Sequence, residues 1–118
     1  MATHIDFGKL GEQLAEEFLI GKGYTILHRN WRHSHYEIDI VALKNNIPHF
    51  VEVKTRSSNH FGQPEESVNK KKIRSLLQAA DEFLFRNPEY NNFRLDILSI
   101  TIHPQQEPEY FFIEDVYL

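Results

Sequence analysis

Three ionisable residues stand inside otherwise apolar, β-branched stretches: Asp39 in EIDIVAL, and Glu52 and Lys54 in FVEVKTR. Charges in strand interiors need partners. Asp39 and Glu52 lie thirteen residues apart, with Asn45-Asn46 between them. Asparagine tolerates positive φ, so Asn-Asn suits a hairpin turn. A hairpin centred there sets Asp39 opposite Glu52 and Glu37 opposite Lys54, on one sheet face, with opposed Cβ atoms about 4.5–5.5 Å apart. Two carboxylates that close repel unless a cation lies between them. Mg²⁺ suits the task, being a hard ion held by one or two carboxylates plus water and phosphate. Mn²⁺ is the alternative. The metal would polarise a phosphoryl group and lower the pKa of a water. Lys54, one pleat further on, would stabilise developing negative charge. The chemistry indicated is phosphodiester hydrolysis. It requires both carboxylates at one point, with Lys54 bordering the same cleft. The alternative is a solvent-facing strand side with Glu37–Lys54 as a simple ion pair. A repulsive Asp39–Glu52 pair, alternating with Ile38, Ile40, Val51 and Val53, weighs against that.

Further residues fit around this trio. At about 100° per residue, Glu12 falls at the border of the first helix's apolar face, whereas Glu16 and Glu17 point towards solvent. Glu12 is the candidate to orient a water or a second ion; a solvated helix face is the plainer reading. Asn69 reads as an N-cap followed by Lys70, Lys71 and Lys72. Lysines in a first turn oppose the helix dipole, which a phosphate would offset. With Arg56 and Arg74 they form a candidate nucleic-acid-binding face, against the alternative of a solvated charge run. His33 and His35 lack an evident third ligand for a transition metal. Trp31, Tyr36 and Phe61 are of the type that stacks on bases, but aromatics are more often core. Asp96, in RLDIL, is expected to pair with Arg94 or another base.

The elements that must position these groups follow from periodicity. Phe7, Leu10, Leu14 and Phe18 recur at helical spacing and glycines close the segment, predicting a helix over residues 6–21 with Asp6 as N-cap. YTILHRNW, EIDIVAL and PHFVEVKT read as strands. Ile73, Leu76, Ala80, Phe83 and Leu84 mark a second helix that stops before Asn87-Pro88. FRLDILSITI and EYFFIEDVYL are the last two strands. The order is α-β-β-β-α-β-β, an α/β fold with a mixed sheet flanked by helices.

Bulk properties set the limits. The 118 residues make one domain, 41% hydrophobic and 25% charged, as in ordinary globular proteins. The absence of cysteine excludes disulfides, thiolate metal sites and thiol catalysis. No apolar run approaches a membrane span and the N-terminus does not read as a signal peptide, so a cytoplasmic protein is expected. The net charge of −4 argues against indiscriminate DNA binding. Between Lys54 and Arg74, however, six bases face only Glu65 and Glu66.

The helix glutamate followed by a D…ExK hairpin resembles the PD-(D/E)xK nuclease superfamily, notably the archaeal Holliday-junction resolvases. More closely, the chain resembles the YraN-like family of small bacterial endonuclease-like proteins. GEQLAEEFLIGKGY, RNWR, EIDIVAL, FVEVKTR, FGQPEESV and the closing IED carry the resemblance. It implies a restriction-endonuclease-like core over residues 1–118, with Glu12 as helix acid, Asp39 and Glu52 as metal ligands and Lys54 as catalytic lysine. It further implies a Mg²⁺-dependent endonuclease acting on DNA, with branched and single-stranded forms as candidate substrates. Cutting two strands would call for a homodimer. Tyr36 stands where the family usually has glycine, so a left-handed backbone or a close substrate approach is at stake there. The alternatives are a non-cleaving nucleic-acid-binding or recombination-accessory module, and a protein-interaction domain with a structural ion.

Overall fold

A computed structural model describes residues 4–58 and 69–116. The element order is α1 (His4–Gly21), β1 (Thr25–His33), β2 (Tyr36–Lys44), β3 (Ile47–Ser57), α2 (Lys70–Arg86), β4 (Arg94–Ile102) and β5 (Glu109–Ile113). This is the predicted α-β-β-β-α-β-β order. The five strands form one sheet in sequence order. Among the described strands only β3 and β4 pair in parallel, so α2 lies in the crossover between them. FGQPEE, Phe61, Glu65 and Glu66 fall outside the described residues.

Local chemistry sets the element ends. α1 begins at His4, which places Asp6 inside the helix rather than at its cap. At the other end Gly23 adopts φ 95°, an angle that costs glycine little. Its N–H donates to Ile20 O, and that of Tyr24 to Leu19 O, both at 3.0 Å. This double closure satisfies the last carbonyls and turns Tyr24 into the core. Asn69 caps α2 as predicted, its side chain accepting from Lys72 N at 2.8 Å. Asn87 ends the helix by donating to Phe83 O at 2.8 Å. β5 stops five residues short of the predicted strand end. Asp115 takes φ 57°, and the Val116 N–H turns back to Leu95 O at 2.7 Å.

The sheet is covered on both faces. Ala15 and Leu19 of α1 pack with Ile40, Ala42, Val51, Leu98 and Ile100. Ile73, Leu76, Ala80 and Phe83 of α2 pack with Val41, Phe50, Leu95 and Ile97. Trp31, partly buried, packs against this cluster and meets Phe83 edge-on at 5.4 Å. Gly11 lets α1 approach β3, since a Cβ there would stand 2.0 Å from Thr55 Oγ1. That contact sets α1 beside the β3 segment carrying Glu52 and Lys54. Among the described residues, no helix is long and apolar enough to cross a membrane.

Candidate functional site

The β2–β3 hairpin has the predicted register. Asn45 and Asn46 both adopt left-handed φ, 52° and 63°, and the ladder runs from Lys44 opposite Ile47 to Ile40 opposite Val51. There it ends, one rung before Asp39 and Glu52 would pair. Glu37 accordingly pairs with Arg32 of β1 at 3.5 Å and not with Lys54. Beyond the last rung the Val53 N–H donates to Asp39 Oδ2 at 2.8 Å. The aspartate thus replaces the missing strand partner and is fixed in orientation.

Asp39 and Glu52 line one cleft of about 320 Å³, with His35, Tyr36, Glu37, Lys72, Ser75, Leu76 and Gln78. The two carboxylates share a sheet face, as the alternation in the sequence requires. Burial, and then the Glu52 charge, push the Asp39 carboxyl up to about 6, against the opposing pull of the Val53 N–H and Lys72. Lys54 is not in the cleft wall. It stands one pleat beyond Glu52, within electrostatic reach of Glu52, Asp39 and Lys72. Burial and the neighbouring Lys72 hold its ammonium below the usual lysine range. Glu12 is exposed on α1, yet its charge adds to the upward push on Asp39. Among the described residues, no three histidine or carboxylate groups converge on one point, so any cation in this cleft would have Asp39 and Glu52 as its candidate ligands, without Glu12 as a third. Two carboxylates with water completing the shell suit Mg²⁺ better than a metal that wants an all-protein cage.

This chain is a member of uncharacterised protein family UPF0102. The family matches residues 11–100. A UPF0102 protein of Flavobacterium psychrophilum is 48% identical over 100 residues, covering 85% of this chain and 84% of its own. One from Chloroherpeton thalassium is 41% identical over 125 residues, 99% of this chain and 97% of its own. The YraN-like resemblance read from FVEVKTR is thereby borne out as UPF0102 membership, and the names of these relatives assign a family without an activity.

Around this UPF0102 cleft the basic residues divide. Lys70, Lys71 and Arg74 are exposed. Arg56 is half-buried and donates to Thr101 Oγ1 at 3.4 Å. Lys72 folds back to Glu52, Nζ to Oε2 at 3.0 Å. Nothing in KKK distinguishes Lys72 except its position at i+3 from the cap, which turns it towards the sheet. Tyr36 has an ordinary extended backbone, the left-handed residue nearby being Ser34 at φ 57°. The glycine-to-tyrosine departure therefore concerns the cleft wall, where the ring lies against His35 at 4.2 Å. His33 does not join His35, because it turns to Arg86 and Glu82 on α2. Glu16, expected in solvent, bonds Arg29 at 2.6 Å.

A second polar group lies on the α1 face. Asp96 is fully buried. Its partner is His49 Nδ1 at 2.7 Å, while Asp115 N donates to its other oxygen at 2.8 Å. Arg94 instead reaches Asn92 and the Phe93 carbonyl. Tyr24 meets His49 edge-on at 4.9 Å, and burial, then Asp96, push its hydroxyl up to about 12.

Proposed function

We propose that the cleft between β2, β3 and α2 hydrolyses phosphodiester bonds in DNA, using a divalent cation, Mg²⁺ or Mn²⁺, held by Asp39 and Glu52. The observation that carries the reading is that these two carboxylates line one cleft. The cation would supply Lewis-acid activation of the phosphoryl group and the attacking water. The Val53 N–H holds the Asp39 carboxylate in place, so little reorganisation is needed when a cation arrives. Lys54, one pleat beyond Glu52 and outside the cleft wall, would have to extend its ammonium into the cleft to offset charge developing on a phosphate oxygen. Glu12 contributes negative potential from the flank. Lys70, Lys71 and Arg74 would offer exposed charge to the DNA backbone, and half-buried Arg56 a further base. Cutting both strands of a duplex would need two copies of the chain.

The Tyr36 ring in the cleft wall favours a second reading, a module that binds nucleic acid and does not cut it. One experiment separates the two. Linear, single-stranded and branched DNA are incubated with the protein in Mg²⁺, Mn²⁺ or chelator. Cleavage should require the metal and vanish in Asp39→Ala, Glu52→Ala and Lys54→Ala. Cleavage that persists in Asp39→Ala would remove the catalytic assignment, and DNA binding without cleavage in wild type would leave the second reading.

A further inference from the structure

Of the four consecutive polar residues that open α2, one behaves unlike its neighbours. Asn69 locks the first turn by accepting the Lys72 N–H at 2.8 Å. The Lys72 side chain then runs to the cleft, where its Nζ lies 3.0 Å from Glu52 Oε2. Glu52 is only 16% exposed there and Lys72 41%, so the pair joins a carboxylate set into the cleft to a lysine still open to solvent. Asp39 also feels the attraction of Lys72. Lys72 is thus bonded to one of the two carboxylates and attracts the other, with Lys54 hydrogen-bonded beside it.

We propose that Lys72 is a tethered counter-ion for the cleft, which yields Glu52 to a divalent cation and, once displaced, engages a DNA phosphate. The inference rests on the hydrolytic reading for the identity of the cation, but its geometry is that of the lysine. A divalent ion bound by Glu52 would compete for the oxygen that Lys72 holds and would repel the ammonium. The lysine stem is flexible and its head strongly hydrated, so release is easy. Neighbouring Lys70, Lys71 and Arg74 already face solvent, and a freed Lys72 would join the surface they offer to a phosphate backbone. A phosphate that captures the ammonium clears Glu52 for the metal, and the metal frees the ammonium for phosphate. Metal and DNA should therefore strengthen each other's binding, by linkage.

The test is a calorimetric titration of the DNA-free protein with Mn²⁺, for wild type, Lys72→Met, Lys72→Arg and Lys71→Met, with circular dichroism to confirm folding. Lys72→Met should bind Mn²⁺ about fivefold or more tightly than wild type. Lys71→Met, which removes the same charge without a bond to Glu52, should change little. Lys72→Arg, whose fork grips a carboxylate more firmly, should bind Mn²⁺ more weakly. Mn²⁺ should also raise DNA affinity in wild type and not in Lys72→Met. Equal Mn²⁺ affinity in wild type, Lys72→Met and Lys72→Arg overturns the inference. Cleaving protein with Lys72-independent Mn²⁺ binding would discard this inference alone. Lys72-dependent Mn²⁺ binding without cleavage would discard the hydrolytic reading alone. Failure of every variant to take up Mn²⁺ discards both.

Discussion

Asp39 and Asp96 occupy nearly the same sequence setting, EIDIVAL and RLDILSI, on β2 and β4, and they meet opposite fates. Asp96 is sealed from solvent with both oxygens committed, one to the His49 ring and one to the Asp115 N–H. It ties the chain after β5 back to the sheet. Asp39 receives one backbone N–H and faces a second carboxylate across an open cleft. A buried acid with all its partners is part of the scaffold. Burial and the neighbouring Glu52 make the Asp39 carboxylate costly to keep ionised, despite the Val53 N–H and Lys72, and that cost appears as its raised pKa.

The largest effect expected from this contrast is in stability at Asp96. Asp96→Ala should cost about 3–5 kcal/mol in urea unfolding, because His49 and the Asp115 N–H lose their buried partner. A loss below about 1 kcal/mol would mean that the network does not hold the C-terminal segment. Asp39→Ala should do the reverse. Cleavage should fall about a thousandfold, roughly 4 kcal/mol of barrier, while the unfolding midpoint holds or rises. Unfolding of this variant would place Asp39 with the scaffold.

The contrast also has a pH signature. Folding raises the Asp39 carboxyl from 3.8 to about 6, so the folded state binds its proton more tightly than the unfolded chain. Ionisation of Asp39 therefore removes stability as pH rises between those values. Asp39→Asn does not titrate, so its stability advantage over wild type should grow across that interval and level off above it. Mn²⁺ binding by wild type should weaken as pH falls through about 6, since the ligand must be ionised. An advantage that is constant with pH would contradict the account of Asp39.

Smaller effects concern the periphery. Replacing Lys70 and Lys71 with Met should flatten the slope of log K against log salt for DNA by about 1.8, each phosphate contact releasing a counter-ion. An unchanged slope returns them to ordinary surface. Ser99, on β4 beside Lys54 in register, has a buried hydroxyl without a partner among the described residues. Ser99→Ala should leave stability unchanged or raise it by about 1 kcal/mol, and a clear loss would reveal a bonded hydroxyl.

What the sequence determined by itself is local or periodic. Two asparagines able to take positive φ set the hairpin register, and with a side-chain period of two that register sent Asp39 and Glu52 to one face. Helical spacing in Ile73–Leu76–Ala80–Phe83 fixed which side of α2 meets the sheet, and Asn69 fixed where the helix starts. Tertiary structure decided everything that depends on where distant elements land. Strand pairing ended one rung early, giving Asp39 a backbone donor and separating Glu37 from Lys54. Parallel pairing of β3 with β4 brought His49 to Asp96, 47 residues away, where the sequence offered Arg94 as the nearer base. The docking of α2 chose Lys72 out of three identical lysines and set it against Glu52. A charged side chain reaches for whichever opposite charge the packed fold puts within about 4 Å, and that distance is fixed by burial of the apolar faces, which carries no record in the charged residues themselves.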